Sequence, residues 1–118
     1  PAGRAKLTPA FNLPSRYVIH TVGPIVKGRV TEQDRALLRA CYRACLAAAE
    51  AHGLGSIAFC CISTGEFRFP GPEAAEIAVN TVFEYRKGGG SCRVVFNVFQ
   101  DRDLKIYRRL LNGIYNAE

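Results

Sequence analysis

The sequence predicts a single α/β domain in which helices pack against a largely parallel β-sheet. Strand-type segments alternate along the chain with segments whose apolar residues recur at helical spacing, and this alternation is typical of α/β sandwiches. The 118 residues, of which 48% are hydrophobic, suffice for one core but hardly for two. No run of 18 apolar residues occurs, so we expect no membrane span.

Four strands and three helices are expected along the chain. β-Branched and aromatic residues mark the strands, which are expected at residues 4–11, 17–22, 56–62 and 93–99. The first helix is predicted to begin at Thr31, which can form a capping box with Asp34, and to end before Gly53. The later helices are expected to begin at Pro72 and at Asp101 or Asp103, and the second of the three to stop at Gly88–Gly90.

The segment from Ser56 to Pro70 carries most of the functional information. Six apolar residues, Ile57–Ile62, suggest a strand that is buried on both faces, and a polar turn follows before the helix at Pro72. A helix that follows such a strand points its free N–H groups at the edge of the sheet, where an anion can bind. The small residues that begin the turn would let a phosphate approach, although a plain strand-to-helix turn would look the same by itself.

This segment resembles the second ligand-binding loop of the macrodomain family, which handles ADP-ribose (the Appr-1''-p processing family). Segments in the same order and spacing also resemble the family: Ala5–Pro14, Tyr17–Pro24, Ala74–Ala78 and Val94–Phe99. The Cys-Cys-Ile-Ser-Thr-Gly version of the loop is most similar to a bacterial sub-branch of zinc-containing protein-ADP-ribose hydrolases. The resemblance implies one macrodomain-like unit over 1–118, a three-layer α/β/α sandwich with a mixed, largely parallel sheet.

The resemblance also implies a set of ligand-binding residues. One group would wrap the diphosphate and the distal ribose, and a second would meet the adenine end of the ligand. The first group is Ser63, Thr64, Gly65, Glu66 and Phe67, and the second is Phe99 and Gln100. Glu66 departs from the family, which more often has an aliphatic residue there, and we expect its carboxylate to face solvent or Arg68. Phe67 and Phe99 could instead be plain core aromatic residues.

The same comparison implies that the N-terminal third of a macrodomain has no counterpart in these residues. That third would carry the first catalytic loop and, in the zinc sub-branch, the metal ligands. We therefore assign no catalytic residue, no metal ligand and no cofactor here, although zinc fits intact relatives. Histidine and cysteine residues receive structural interpretations: His20 as a backbone-bonded histidine, His52 as a residue of a helix C-terminus, and Cys41, Cys45, Cys60 and Cys61 as small core residues.

The absent third would leave a gap in the sheet between the strands at 17–22 and 56–62. Three arrangements could close it: direct pairing of the two strands, a strand from another chain, or a missing half that lies elsewhere. Of pairing and a partner, we favour a partner such as a second copy, because direct pairing would crowd helices that suit a wider sheet. The chain may therefore form a homo-oligomer that completes the sheet.

Charge and cysteine content limit the partners and the compartment. The formal net charge of +6 favours anionic partners, but the basic residues are scattered, so nucleic acid is not expected as the main one. Five cysteines without the spacing of a secreted scaffold suggest a reducing cytoplasm. The macrodomain resemblance implies a module that binds ADP-ribose or a related nucleotide, or an ADP-ribosylated protein, with weak or no hydrolase activity. The alternatives are a non-catalytic module for another nucleotide and an inactive oligomeric remnant.

Overall fold

Within the residues that the structure describes, the chain forms four strands and three helices in the predicted order. The computed structural model describes residues 3–9, 17–60, 62, 68–98 and 100–117. The elements are β1 Ala5–Pro9, β2 Tyr17–Thr21, α1 Glu32–Ala51, β3 Ser56–Phe59, α2 Gly71–Lys87, β4 Arg93–Phe96 and α3 Asp101–Ala117. The α/β fold expected from the sequence is confirmed. The turn predicted at 12–15 lies outside the described residues.

The strands in the described ranges form two separate pairs. β1 and β2 are antiparallel, with Lys6 opposite His20, whereas β3 and β4 are parallel, with Phe59 opposite Phe96. In the ranges that the structure describes, no ladder joins β2 to β3. The direct pairing of these two strands that the sequence left open is therefore not adopted, and an open space remains between the two pairs.

Helix α1 begins and ends where its capping residues predict. The Thr31 amide donates to Asp34 Oδ2 at 2.9 Å and the Asp34 amide donates to Thr31 Oγ1 at 3.1 Å, which completes the capping box. His52 is the C-cap, as expected, and its ring Nδ1 lies 2.9 Å from the Ala48 carbonyl oxygen. The apolar face of α1 is buried in the core: Leu38, Cys41, Tyr42, Cys45, Leu46 and Ala49.

The three helices pack on one face of the strand pairs. On that face, the Phe59 ring of β3 meets the Tyr42 ring of α1 edge-on, with centroids 4.9 Å apart. In the neighbouring strand, the Phe96 ring stacks on Tyr107 of α3 at 5.0 Å. A continuous aromatic core thus ties α1 and α3 to the parallel strands, and α2 lies between these two helices and contacts both.

The predicted strand at 56–62 is shorter and less buried than the sequence suggested. Its ladder ends at Phe59 because the partner strand β4, predicted to reach residue 99, ends at Phe96. Burial on both faces was wrong: Phe59 is buried, but Ala58 and Cys60 are exposed, and Val95 beside them is 42% exposed. The reason is that no described element covers the face opposite the helices.

A polar cluster at the surface holds the turn after α2 against the end of α1. The Glu50 carboxylate accepts hydrogen bonds from the Tyr85 hydroxyl, from the Ser91 amide at 2.7 Å and from the Ser91 hydroxyl at 3.0 Å. The Tyr85 oxygen in turn accepts from the Cys92 amide at 2.9 Å. The stop predicted at Gly88–Gly90 is confirmed, since α2 ends at Lys87 with Gly88 as its C-cap. This cluster sets where β4 begins.

Candidate functional site

The two predicted binding segments leave the same edge of the parallel strand pair. β3 and β4 run in the same direction and end side by side at Phe59 and Phe96. The chain after β3 leads to α2, and the chain after β4 leads to α3. The starts of these helices are close, because a methyl group on Gly71 would lie 3.4 Å from Asp103 Oδ1. The N-termini of α2 and α3 therefore lie close together at the edge where both strands end, which is where ligands bind in many α/β sheets.

The N-terminus of α2 offers backbone donors to an anion. Its N-cap residue is Pro70, which makes no side-chain capping hydrogen bond. The Ala74 amide donates to the Pro70 carbonyl at 2.9 Å, and this is the first hydrogen bond of the helix. The amides of Gly71 and Glu73 come before Ala74, so they have no acceptor within the helix and are available to a ligand. Pro72, between them, has no N–H. The partial positive charge of a helix N-terminus would favour a phosphate there.

Residues on both sides of the predicted phosphate loop are held in the fold. Ile62 is half-buried against the core before the loop, and Phe69 is only 1% exposed after it. Between the loop and Phe69, Arg68 has a left-handed backbone with φ 61°, which side-chain-bearing residues adopt at some cost. A loop fixed at both ends between a strand and a helix is the expected setting for residues 63–67.

The predicted site residues fall mostly outside the part of the chain that the structure describes. Ser63, Thr64, Gly65, Glu66, Phe67 and Phe99 are outside it. Gln100 is described: it is exposed and immediately precedes α3, and its carbonyl accepts from the Leu104 amide at 3.0 Å. Asn97, which the sequence left unassigned, is exposed, and its amide donates to the Phe59 carbonyl at 2.7 Å.

An ion pair that sequence reasoning missed supports the start of α2. Arg35 of α1 donates through Nε to the carboxylate of Glu73 in the first turn of α2, and its Nη1 lies 3.4 Å from Glu32. The bond to Glu73 raises the pKa of Arg35. The pairing joins residues 38 positions apart, so the helical pattern of either segment could not indicate it. The Glu73 carboxylate near the proposed anion site is therefore paired with Arg35.

Two of the cysteines predicted to lie in the core are buried there, and a third is exposed. Cys41 and Cys45 are buried as predicted; the Cys41 thiol donates to the Val22 carbonyl at 3.3 Å, and burial raises the pKa of Cys45 to about 11. Cys60 is exposed, so its assignment to the core was wrong, because it lies beyond the end of β3 on the uncovered face. Cys61 lies outside the described residues.

The remaining titratable residues give little indication of a catalytic or metal centre. His20 is exposed on β2 opposite Lys6, not in an apolar interior. Among the residues with described positions, no three side chains of His, Cys, Asp or Glu come together as a metal site. The thiols and imidazoles of this part thus do not fit a zinc centre. No helix described here is long and apolar enough to cross a membrane.

Comparison with known proteins decides the family. The family model for the Macro domain matches residues 1–78. The chain belongs to the macro domain family. A protein-ADP-ribose hydrolase of Treponema medium is 53% identical over 95% of this chain, and one of Staphylococcus aureus (strain Mu50) is 53% identical over 93% of it. This chain spans 43% and 42% of the lengths of these relatives, which is less than half of each.

Solved macrodomains have the same fold. The Oceanobacillus iheyensis macrodomain with ADP superposes on all of this chain with a TM-score of 0.92 at 36% identity, and the chain covers 62% of that structure. The Trypanosoma brucei macrodomain in complex with ADP-ribose gives a TM-score of 0.84 at 37% identity, over 94% of this chain and 46% of its own. The resemblance inferred from the loop and strand motifs is confirmed.

Proposed function

We propose that this macro domain chain binds ADP-ribose. The single observation that carries the proposal is that β3 and β4 end side by side and that the starts of α2 and α3, which follow them, lie close together. A dinucleotide-like ligand needs two recognition points, one for the diphosphate and one for the base, and the two connections supply them. Family membership and the relatives named for ADP-ribose support the same ligand.

In this proposal the diphosphate lies against the N-terminus of α2. Residues Ser63, Thr64 and Gly65 cradle it through their backbone amides, and Gly71 and Glu73 add donors from the first turn. Glu66 turns its carboxylate away from the phosphates, since two negative groups in contact would repel each other. Phe67 packs on the distal ribose.

The adenine end lies at the start of α3. Phe99 stacks on the base. Gln100, the next residue, is exposed and offers a side-chain amide that can hydrogen-bond the edge of the base. The proposed ligand therefore has its phosphates at α2 and its base at α3.

We further propose that the 118-residue polypeptide binds this ligand without appreciable hydrolysis. The support for this proposal is that no segment of these 118 residues resembles the family's first catalytic loop. ADP-ribosylated protein is then a binding partner through its ADP-ribosyl group. The Treponema medium relative is the positive control: under matched conditions it should release ADP-ribose from modified protein while this chain does not.

The binding loop is tested by replacing a glycine in it with a bulky residue. Gly65→Leu puts a side chain on the approach path of the phosphates and should abolish ADP-ribose binding in isothermal titration. Gly55→Leu is the matched control, because Gly55 lies at the other end of the same strand and has open space around it. Far-UV circular dichroism checks that both variants fold. Equal loss in both variants, or retained binding in Gly65→Leu, would contradict the placement of the phosphates.

The compartment also remains a proposal. The described cysteines Cys41, Cys45, Cys60 and Cys92 are free thiols. Free thiols suit a reducing cytoplasm. Expression in the source cell followed by fractionation would test it.

A further inference from the structure

The first turns of α1 and α2 carry an acidic residue at the same helical position but use it differently. In α1 the third residue is Asp34, and its carboxylate accepts from the amide of the N-cap residue Thr31 at 2.9 Å. In α2 the third residue is Glu73, and the N-cap residue is Pro70, which has no N–H to donate. Glu73 therefore cannot cap its own helix as Asp34 does.

An unpaired Glu73 carboxylate would compete with a phosphate for the start of α2. Two prolines in this turn lack an N–H, so the amides of Gly71 and of Glu73 itself are the donors that remain there. The Asp103 carboxylate is already nearby, since its Oδ1 would lie 3.4 Å from a methyl group on Gly71. A helix N-terminus carries about half a positive charge, which a second unpaired carboxylate would outweigh.

Arg35 of α1 takes up this carboxylate from the neighbouring helix. Its Nε donates to Glu73 Oε1, and its Nη1 lies 3.4 Å from Glu32 Oε2. Glu32 also accepts from Arg39 Nη2 at 3.0 Å, so the two acidic and two basic side chains of this network carry no net charge together. The side chains of Arg35 and Glu73 are each only 36% exposed, which limits the screening of their attraction by water and salt.

We propose that Arg35 is a positioning residue of the ADP-ribose site, because it holds the Glu73 carboxylate against α1 and away from the amides at the start of α2. The inference rests on the proposed function, which places the diphosphate at those amides. Arg35 acts through Glu73 and does not have to touch the ligand. Its loss lowers the affinity for the diphosphate because it releases a competing carboxylate.

The two ways of breaking this ion pair separate positioning from a merely structural role. Arg35→Gln leaves Glu73 charged and unpaired, whereas Glu73→Gln removes the negative charge and keeps the backbone amide. If the pair served only to join α1 to α2, both variants would weaken ADP-ribose binding alike. In the positioning role, Arg35→Gln should raise the Kd about three- to tenfold, the level at which single charges at helix ends and in ion pairs act. Glu73→Gln should bind at least as tightly as the wild type.

Isothermal titration of ADP-ribose into the 118-residue chain measures the complete cycle. Arg35→Gln should cost much less affinity in the Glu73→Gln background than in the wild type, because no carboxylate is left to be released. Arg39→Gln is the matched control, since it removes the same charge from α1 and breaks a bond to Glu32 but none to Glu73, and its affinity should match the wild type. Equal losses in Arg35→Gln and Glu73→Gln, or a loss from Arg35→Gln that persists in full in the double variant, overturn the proposal.

Amide hydrogen exchange without ligand tests the position of the carboxylate directly. In Arg35→Gln the released carboxylate should accept from the Gly71 amide and slow its exchange about threefold or more, and Arg35→Gln/Glu73→Gln should restore the wild-type rate. Arg35→Met removes the same guanidinium should Arg35→Gln fail to fold by far-UV circular dichroism. Unchanged exchange at Gly71 overturns the role of Arg35 whether or not the chain binds ADP-ribose, whereas a wild-type chain that gives no heat with ADP-ribose contradicts the proposed function.

Discussion

Replacing Gly90 with alanine should destabilise the chain through one defined clash. A methyl group at this position would overlap the Cε1 and Cζ atoms of the Tyr85 ring and lie 2.6 Å from its Cδ1 atom. Favourable carbon–carbon contacts are about 3.5–4.0 Å, so the ring would have to move by roughly 1 Å or more. The ring cannot move freely, because its hydroxyl donates to Glu50 and accepts from the Cys92 amide. Overpacking of this kind costs about 1–3 kcal/mol.

The expected shift is large enough to measure by thermal or urea unfolding. At roughly 4 °C per kcal/mol for a domain of this size, Gly90→Ala should lower Tm by about 4–12 °C. Gly55→Ala is the matched control: nothing lies within 4 Å of the added methyl group and its φ is not in the left-handed region, so its stability should change by less than about 1 kcal/mol in either direction.

A double-mutant cycle separates the clash from any general effect of alanine. In a Tyr85→Ala background the methyl group meets no ring, so Gly90→Ala should cost much less there than in the wild type. If Gly90→Ala costs the same in both backgrounds, or no more than Gly55→Ala, the Tyr85 ring is not held against Gly90 as the structure places it.

Two further predictions concern acid stability and helix capping. Hydrogen bonds, first from Tyr85 and then from Ser91, lower the pKa of Glu50 from 4.5 to about 2. The contribution of Glu50 to folding stability is therefore fully present above about pH 4.5 and is lost as the pH falls towards 2. Glu50→Gln should flatten this part of the stability–pH curve, and an unchanged curve would contradict the cluster. Thr31→Ala removes the hydroxyl that caps α1 and should cost about 1 kcal/mol in urea unfolding, whereas Thr31→Ser should cost much less; equal losses would show that the capping bond is unimportant.

Local signals predicted the helices well. The ends of α1 followed from Thr31, Asp34 and Gly53, because capping and stop residues act within one turn and need no tertiary information. The stop of α2 at Gly88 followed for the same reason. The order of elements and the family resemblance were also readable, since both depend on the spacing of motifs along the chain.

Burial in the strands could not be predicted as well. The run Ile57–Ile62 looked like a strand buried on both faces, but Ala58 and Cys60 are exposed and the ladder ends at Phe59. Strand burial depends on what covers each face, and strand length depends on the partner, neither of which is local. The Arg35–Glu73 pair was missed for the same reason. The loops at 63–67 and 99 remain predictions, supported by the elements on either side of them.

The most direct test of the account is isothermal titration of the purified 118-residue chain with ADP-ribose, with AMP titrated in parallel. AMP has the base and one phosphate but cannot span both the α2 and α3 connections. The account predicts saturable heat with one ADP-ribose per chain and clearly weaker binding of AMP. No heat with ADP-ribose from a chain shown to be folded by circular dichroism would contradict it, and equal affinity for the two ligands would contradict the two-point geometry at the converging loops.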